Sequence, residues 1–360
     1  MSRWGDDPAG AEVRSEEVEV VISATNAAEL SSFLEAWRDV LQPYHLIIVQ
    51  DPDLADPLHI PEDLDHHLYC KEDMESILGP KLISALCFSG DAARSFGFLQ
   101  ARRRYVFTMD LSSLPLKDAV TGTLIDPIQQ HLVNLKSPST PFFFNTLYDP
   151  YQDGTDFVRG YPFSLRLGLP TVISHGLWLN AADFDAPTRI LKPNKRNLTE
   201  VDAVVTIPRG SLFPMSAINL AFDRRIVGPA MFYGLLRLAS GRSESFDDIW
   251  AGLCCKVICD HIGYGVKSGK PYVWQTTSTN AFDSLKKEYK AINWLEEIIP
   301  FFQSIRLPRT LSRVEDCYLE IAKLVKRKLN SIDPVFEKIS SSMEAWIEAW
   351  KAISDFEEDS

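Results

Sequence analysis

The fold of this chain is decided by two apolar runs, Val18-Glu19-Val20-Val21-Ile22-Ser23 and His45-Leu46-Ile47-Ile48-Val49-Gln50. Both are rich in β-branched residues, which predicts two buried strands. Between them, Asn26 and Glu29 form a capping-box pattern. Apolar residues then recur at helical spacing until Pro43. Strand, helix and strand within about 35 residues indicate a βαβ unit with parallel pairing and a right-handed crossover.

A third strand follows, and acidic residues stand at the strand ends. A helix is predicted over residues 91–103, then a strand at residues 105–109 that ends at Asp110. Asp51 and Asp53 follow the second strand in the same way. Ligands of open α/β sheets bind beyond the carboxyl ends of the strands. We therefore expect these acids to face one crevice, with Asp51 and Asp110 close together at the carboxyl edge of a central, mostly parallel sheet.

The length of 360 residues suits one large domain or two closely packed domains. We predict a disordered N-terminus over residues 1–17, one domain over residues 18–352 and an acidic tail over residues 353–360. The aromatic-rich and Pro-rich middle, residues 140–230, is predicted to mix short strands and long loops. From about residue 281 the apolar spacing predicts a helical C-terminal part.

Charge and cysteine content exclude several classes of protein. The chain has 37 basic and 49 acidic residues, a net charge of −12, which repels nucleic acid and anionic membranes. No apolar run reaches the roughly 18 residues of a membrane span, and the acidic N-terminus does not have the pattern of a signal peptide. The six cysteines include no CxxC pair, so we expect reduced thiols in a cytoplasmic protein, without nucleic acid as a partner.

Two arginines lie among aromatic residues in the stretch Phe157-Val158-Arg159-Gly160-Tyr161-Pro162-Phe163-Ser164-Leu165-Arg166. A guanidinium group binds phosphate oxygens in a bidentate way, so phosphate binding by Arg159 or Arg166 is one interpretation. The alternative is a structural arginine that pairs with one of the many carboxylates. Residue types alone favour that alternative.

The stretch and its neighbours resemble the plant reversibly glycosylated polypeptides, a family of UDP-L-arabinopyranose mutases. The likeness covers roughly residues 18–352. The stretches that carry it include Asn145-Thr146-Leu147-Tyr148-Asp149-Pro150-Tyr151, His175-Gly176-Leu177-Trp178-Leu179-Asn180, Asp247-Asp248-Ile249-Trp250-Ala251-Gly252 and Leu285-Lys286-Lys287-Glu288-Tyr289-Lys290.

The resemblance implies an α/β fold of the glycosyltransferase-A type, with flanking helices and a helical C-terminal segment. It implies interconversion of UDP-arabinopyranose and UDP-arabinofuranose for plant cell-wall polysaccharide synthesis, with Mn²⁺ or Mg²⁺ as cofactor and UDP-glucose as a further UDP-sugar ligand. It also implies homo- or hetero-oligomers with other family members. Their expected location is the cytoplasm and, peripherally, the cytosolic face of the Golgi.

The resemblance also assigns individual residues. Asp51 matches a carboxylate that meets the uridine, and Lys81 and Arg94 match cations of the substrate site. Arg159 matches the arginine that becomes glycosylated, which gives it a catalytic role, and Arg166 is the second arginine of that segment, expected to bind substrate.

Three further residues carry two interpretations each. Asp247 and Asp248 precede a predicted helix, where they suit either the helix dipole or a general acid, a general base or an anchor for sugar hydroxyls. His175 is expected in the substrate-binding set, although a lone histidine in an apolar stretch is more often a core residue. His261 is also a lone histidine in an apolar stretch, where a core residue is more common than a ligand.

The chain departs from the family where a metal ion is implied. The third strand of the family ends in Ile-Asp-Asp-Asp-Cys, whereas here the run is Met109-Asp110-Leu111-Ser112-Ser113. Asp110 is thus the one carboxylate left to hold the metal. The family pair Trp-His is Trp274-Gln275 here, which removes an imidazole. Mn²⁺ and Mg²⁺ prefer hard oxygen ligands, and Leu111 cannot supply one.

Two functions of different classes follow from these residues. The first is an enzyme, a UDP-arabinopyranose mutase whose activity is reduced by the lost metal ligands. The second is a catalytically inactive paralogue that binds active mutase subunits and regulates or scaffolds them. Metal-dependent binding of UDP discriminates between the two.

Overall fold

The structure, a computed structural model, describes residues 14–151, 155–235, 246–276 and 280–358. Its strands form one ten-stranded sheet. They are β1 (Val18–Ala24), β2 (His45–Gln50), β3 (His66–Tyr69), β4 (Tyr105–Met109), β5 (Ser113–Leu114), β6 (Thr171–Ala181), β7 (Arg196–Asn197), β8 (Val204–Thr206), β9 (Asn219–Asp223) and β10 (Gly265–Gln275).

Helices cover both faces of this sheet. They are α1 (Ala27–Leu41), α2 (Lys71–Ala85), α3 (Arg94–Gln100), α4 (Pro127–Lys136), α5 (Ala186–Leu191), α6 (Arg224–Val227), α7 (Asp247–Ile262), α8 (Ala281–Ser304), α9 (Val314–Leu329) and α10 (Val335–Glu358). Short 3₁₀ helices lie at Ser15–Glu17, Gly90–Ala93, Phe163–Leu165 and Gly228–Ala230.

The strand order is β3-β2-β1-β4-β9-β6-β10-β5, with β7 added to β6 and β8 added to β10. β1 to β4 are parallel to one another. β9 is antiparallel to both β4 and β6, so β6 and its parallel partner β10 run in the same direction as β4. Six of the ten strands therefore share one direction, and the predicted α/β fold of the glycosyltransferase-A type is confirmed. The expectation of parallel pairing holds from β3 to β4 and fails at β9.

The predicted βαβ unit is present because its local signals agree with its packing. Asn26 caps α1: its side-chain oxygen accepts bonds from the backbone amides of Ala28 at 2.9 Å and Glu29 at 3.0 Å. The strand residues alternate between the two faces of the sheet. Val21 lies in the core against the C-terminal helices, and Val20 and Ile22 lie in the core beneath α1 and α4.

The helical C-terminal part begins at Ala281, as predicted, and covers one face of the sheet. Trp250 of α7 packs edge-on against Phe302 and stacks on Phe336. Trp346 of α10 stacks on Phe232 at 4.7 Å between ring centroids. These large rings join α7, α8 and α10 to the sheet, so the C-terminal helices belong to the same core as the strands.

Some boundaries differ from the predictions. The helix predicted over residues 91–103 is a 3₁₀ turn followed by α3, which ends at Gln100. Within the N-terminus predicted as disordered, Ser15–Glu17 form a 3₁₀ helix, and residues 1–13 lie outside the described residues. The acidic tail predicted from residue 353 is helical to Glu358. In the described part of the chain, no helix is long and apolar enough to cross a membrane.

Candidate functional site

Asp51 and Asp110 lie at the same edge of the sheet, because the parallel strands β2, β1 and β4 end there in register. Asp51 is buried and accepts two backbone amides. Gly90 donates to one of its oxygens at 2.8 Å, and Asp53 donates to the other at 3.0 Å. The carboxylate that the resemblance assigns to the uridine thus also holds the turn that leads into α3.

Arg94 is buried and forms an ion pair with Asp110, whose side chain is 26% exposed. The Arg94 Nη2 atom lies 2.5 Å from Oδ1 of Asp110, and the Arg94 side chain is 2% exposed. The same guanidinium donates to the carbonyl of Ala217 at 2.9 Å and to that of Asp91 at 2.9 Å. Burial opposes the charge, but Asp110 and Asp91 outweigh it and raise the pKa of Arg94. Arg94 therefore stays a cation, and Asp110 is already neutralised by it.

The position of Arg94 depends on a close approach between helix and sheet. A Cβ atom on Gly97, one turn further along α3, would lie 2.4 Å from Cγ1 of Val21. Only glycine permits this contact without a shift of the backbone. The result is that α3 packs directly on β1 and aims Arg94 at the end of β4.

Ser112 and Gln275 bond to each other. The Gln275 Nε2 atom donates to Oγ of Ser112 at 2.9 Å, and the Ser112 hydroxyl lies 3.1 Å from Oε1 of Gln275. These are the two positions where the resemblance implies an acid and an imidazole. Leu111, between Asp110 and Ser112, packs against the core beneath α1 and α4. The fold has brought the expected positions together, but it has filled them with a neutral pair.

These residues do not fit a divalent metal ion. Asp110 is neutralised by Arg94, Ser112 and Gln275 satisfy each other, and Leu111 has no donor atom. Among the described residues, no group of three or more His, Cys, Asp or Glu side chains is arranged to hold a metal. Mn²⁺ and Mg²⁺ need several hard oxygen ligands, so the metal chemistry that the resemblance implies has no support at this corner of the site.

Beside this corner lies a cavity of about 640 Å³ between the sheet edge and the helices α7 and α8. Its walls are strongly acidic. Asp247 and Asp248 come from the first turn of α7, Asp183 follows β6, and Glu288 comes from α8. Burial and the neighbouring carboxylate of Asp183 raise the pKa of Asp248 to about 8. Asp248 therefore carries a proton at neutral pH and can donate it into the cavity.

A second cavity, of about 480 Å³, opens from the first and is lined by aromatic rings. His175 lies in its wall, with its ring 5.2 Å from Phe213 and 6.1 Å from Trp178 between centroids. Burial lowers the pKa of His175 to about 4, so the ring is neutral. Its Nδ1 atom lies 3.2 Å from the hydroxyl of Ser268. Both cavities share Asp248 and Asp183.

Four predicted residues do not line these cavities: Asp51, described above, and Lys81, Arg159 and Arg166. Lys81 is on the surface of α2, where its ammonium lies 2.6 Å from a carboxylate oxygen of Glu348. Arg159 is exposed in a loop before β6. Arg166 lies over the rings of Phe163, at 3.9 Å, and Phe157, at 4.8 Å. Its Nε atom is buried and has no hydrogen-bond partner. The structure thus packs Arg166 on aromatic rings, whereas the sequence suggested either phosphate binding or an ion pair with a carboxylate.

The loop that carries the two arginines is anchored to the sheet. Lys267 of β10 and Asp149 form an ion pair in which both side chains are fully buried. The hydroxyl of Tyr151 donates to the carbonyl of Arg166. Asp149 and Tyr151, in one of the stretches that carry the family resemblance, therefore hold this loop in place.

Sequence reasoning missed several cavity residues. Asp183 follows β6 in the way that Asp51 follows β2, so the rule about strand ends would have found it had residues 171–181 been recognised as a strand. Glu288 gives no local signal, because it reaches the site only through the packing of α8 on α5. Its carboxylate accepts the amide of Ala186 at 2.8 Å.

Known proteins match nearly the whole chain. The model of the family described as Reversibly glycosylated polypeptide matches residues 13–355. The chain is 52% identical to a probable UDP-arabinopyranose mutase 1 of Pisum sativum over 341 residues. The aligned region covers 94% of this chain and 92% of that protein. It is 52% identical to UDP-arabinopyranose mutase 1 of Arabidopsis thaliana over 94% of this chain and 93% of that protein. It is 51% identical to UDP-arabinopyranose mutase 1 of Oryza sativa subsp. japonica over 94% of this chain and 92% of that protein.

Proposed function

Because this chain belongs to the reversibly glycosylated polypeptide family, we propose that it binds UDP-arabinose in the joined cavities and interconverts its pyranose and furanose forms slowly. In class it is then an isomerase. The observation that carries the proposal is Asp248, a carboxyl group with a pKa of about 8 that faces both cavities. A buried carboxyl group of this kind is suited to proton transfer at neutral pH.

Ring contraction needs an acid and a base near one sugar. The bond between the anomeric carbon and the phosphate oxygen breaks, and UDP is held. The bond from the anomeric carbon to the ring oxygen O5 then gives way to a bond to O4, and UDP returns to the anomeric carbon. The net change moves one proton from the 4-hydroxyl to O5. Protonated Asp248 donates to O5, and a neighbouring ionised carboxylate, such as Asp183, accepts the proton from the 4-hydroxyl.

The aromatic cavity suits the sugar. His175 is neutral, so it binds a hydroxyl group through a hydrogen bond and does not attract a phosphate. Trp178 and Phe213 offer apolar faces beside it. For the arginine segment we propose that exposed Arg159 is the residue that becomes glycosylated.

The low rate follows from the corner at Asp110. Departure of UDP develops negative charge on the diphosphate, and that charge must be met by cations. Arg94 is committed to Asp110, and the Ser112–Gln275 pair is neutral. This corner therefore lacks part of the electrostatic stabilisation that the departure of UDP needs.

The second candidate function is a non-catalytic subunit. The internal pairing of Asp110 with Arg94 and of Ser112 with Gln275 favours it, because these pairs stabilise the fold while closing the metal corner. Such a subunit would bind active mutases in homo- or hetero-oligomers in the cytoplasm, at the cytosolic face of the Golgi, and would support cell-wall polysaccharide synthesis. Light scattering of the chain alone and mixed with an active mutase tests this association.

The deciding experiment is incubation of the purified chain with UDP-arabinofuranose, with the products separated by chromatography. The Arabidopsis relative serves as the positive control. We expect UDP-arabinopyranose to form, more slowly than with the control, and to disappear in Asp248→Asn. UDP binding without any product identifies the non-catalytic subunit. A chain that binds neither UDP nor UDP-arabinose contradicts the mutase function, and a chain that also fails to associate with an active mutase in light scattering contradicts both functions.

A further inference from the structure

We propose that residues 189–196 form a diphosphate-binding site that works without a divalent metal ion. Four residues of this stretch are basic: Arg189, Lys192, Lys195 and Arg196. In a chain whose net charge is −12, this local positive charge attracts an anion. The inference deepens the proposed function and depends on it in one respect, since it assigns the diphosphate of the bound nucleotide to this stretch.

All four basic side chains line one cavity of about 300 Å³. The ends of two strands form its floor, because Ala181 of β6 and Gln275 of β10 also line it. The stretch is fixed there by the sheet: Arg196 begins β7 and pairs with Ala181 of β6. The cavity is therefore built at the same carboxyl edge as the two cavities of the proposed sugar site.

The charges of Lys192, Lys195 and Arg196 are available to a ligand. In the described part of the chain, no carboxylate forms an ion pair with Lys192, Lys195 or Arg196. The Arg196 guanidinium donates to backbone carbonyls of Pro193 and Lys195, at 3.3 and 3.2 Å. Arg189 is held in place, since it donates to the carbonyl of Phe184 at 3.1 Å and to the hydroxyl of Ser284 at 3.4 Å.

The position of this cavity fits a nucleotide sugar. It shares Asp183, Arg189 and Ile218 with the acidic cavity. The acidic walls repel a diphosphate and accept hydrogen bonds from sugar hydroxyls, whereas the basic walls attract the diphosphate. A diphosphate at residues 189–196 would therefore direct its sugar towards Asp248. Gln275, which stands where the resemblance implies a metal ligand, lines the basic cavity. The four basic residues thus line the same cavity as a position where the resemblance implies a metal ligand.

Calorimetry with the full chain in EDTA tests the inference, with inorganic pyrophosphate and UDP as separate probes. The variant Lys195→Ala/Arg196→Ala removes two charges. The variant Lys195→Arg/Arg196→Lys keeps them. Lys323→Ala, an exposed lysine on α9, is the matched surface control. We expect the double alanine variant to weaken both probes about tenfold or more, while the other two variants keep the wild-type Kd. Thermal unfolding checks that all variants are folded.

The outcomes separate the two proposals. Pyrophosphate binding that is lost in the double alanine variant supports this site even if UDP-arabinose does not bind, and in that case the proposed function fails alone. UDP binding that requires Mn²⁺, or that is unchanged in the double alanine variant, overturns the site and leaves the proposed function standing. No binding of either probe in EDTA also overturns the site.

Discussion

The metal corner, comprising Asp110, Ser112 and Gln275, and the sugar wall, comprising Asp248 and His175, lie at one edge of one sheet but have opposite characters. At the metal corner the site residues bond to one another, Arg94 to Asp110 and Ser112 to Gln275, although Arg94 and Asp110 also line the acidic cavity. At the sugar wall the carboxyl group of Asp248 faces open cavities and keeps a pKa of about 8. Where the resemblance implies metal ligands that this chain lacks, the groups present are paired with one another. Asp248 instead faces the cavities in which we propose that the sugar binds.

The largest expected effect is at the metal corner. Arg94→Ala leaves Asp110 without its buried partner, so we expect the free energy of unfolding to fall by about 3–5 kcal/mol. Lys81→Ala is the control, because it also removes one cation from an ion pair, but the pair of Lys81 with Glu348 is exposed and is worth about 0–1 kcal/mol. Urea unfolding monitored by tryptophan fluorescence measures both. Equal effects of the two variants would show that the corner is not closed by this ion pair.

The next effect is at the sugar wall. Asp248→Asn removes the proton donor, and we expect product formation to fall about 100-fold or more. In the unchanged chain the rate should fall as pH rises through about 8, since Asp248 then loses its proton. A rate that does not change between pH 7 and pH 9 would remove Asp248 from the chemistry.

The free energy of unfolding gives a control for this variant, because Asp248→Asn should raise stability while it lowers activity. The folded pKa of Asp248 is raised above the unfolded value, so its contribution to stability is present below about pH 4 and is lost as pH rises to about 8. Asparagine does not ionise, so Asp248→Asn does not lose stability in this way as pH rises. We expect the variant to be more stable than the unchanged chain at pH 8 by about 1–2 kcal/mol, a figure reduced for the solvent that reaches this side chain. Loss of product in a more stable variant cannot come from unfolding.

Placing carboxylates and an imidazole at the metal corner should give it ligand groups that are open to a metal ion. In the triple variant Leu111→Asp/Ser112→Asp/Gln275→His, new ligands surround Asp110, and we expect Mn²⁺ affinity to rise at least about tenfold, or 1.4 kcal/mol. The matched control Leu111→Asn/Ser112→Asn/Gln275→His has the same shape with fewer charges. Isothermal titration with Mn²⁺ compares them. The same affinity in both variants would mean that carboxylates do not determine metal binding here.

The smallest expected effect lies in the arginine loop. Arg166→Ala removes a guanidinium that packs on two phenylalanine rings, so the free energy of unfolding should fall by about 0.5–1 kcal/mol. Arg159→Ala, at an exposed position, should leave stability unchanged and abolish self-glycosylation. Intact-mass measurement after incubation with UDP-glucose detects the attached sugar. A mass increase in Arg159→Ala would place the glycosylation elsewhere.

The local part of this structure was predictable. Asn26, the apolar spacing behind it and the two β-branched runs define the βαβ unit, because capping, periodicity and burial all agree there. Asp51 and Asp110 were predictable at one edge for the same reason. The antiparallel insertion of β9 was not, since its five residues give no signal of direction.

The pairings in the site could not be predicted either. Ser112 and Gln275 are 163 positions apart, and only the antiparallel contact between β5 and β10 brings them together. Arg94 was predicted as a substrate cation, but its commitment to Asp110 depends on the close contact of Gly97 with β1. Long-range packing of this kind leaves no local pattern in a sequence.

The most direct test is the uptake of Mn²⁺ by the unchanged chain, measured from the electron paramagnetic resonance signal of free Mn²⁺. Because Arg94 neutralises Asp110 and the Ser112–Gln275 pair offers no charge, we predict that adding the chain does not lower the free signal below the level that Mn²⁺ and UDP give without protein. The Arabidopsis relative, assayed in parallel, provides the comparison. Tight uptake of one Mn²⁺ per chain, abolished by Asp110→Asn, would contradict the conclusion that this corner is closed by internal pairs.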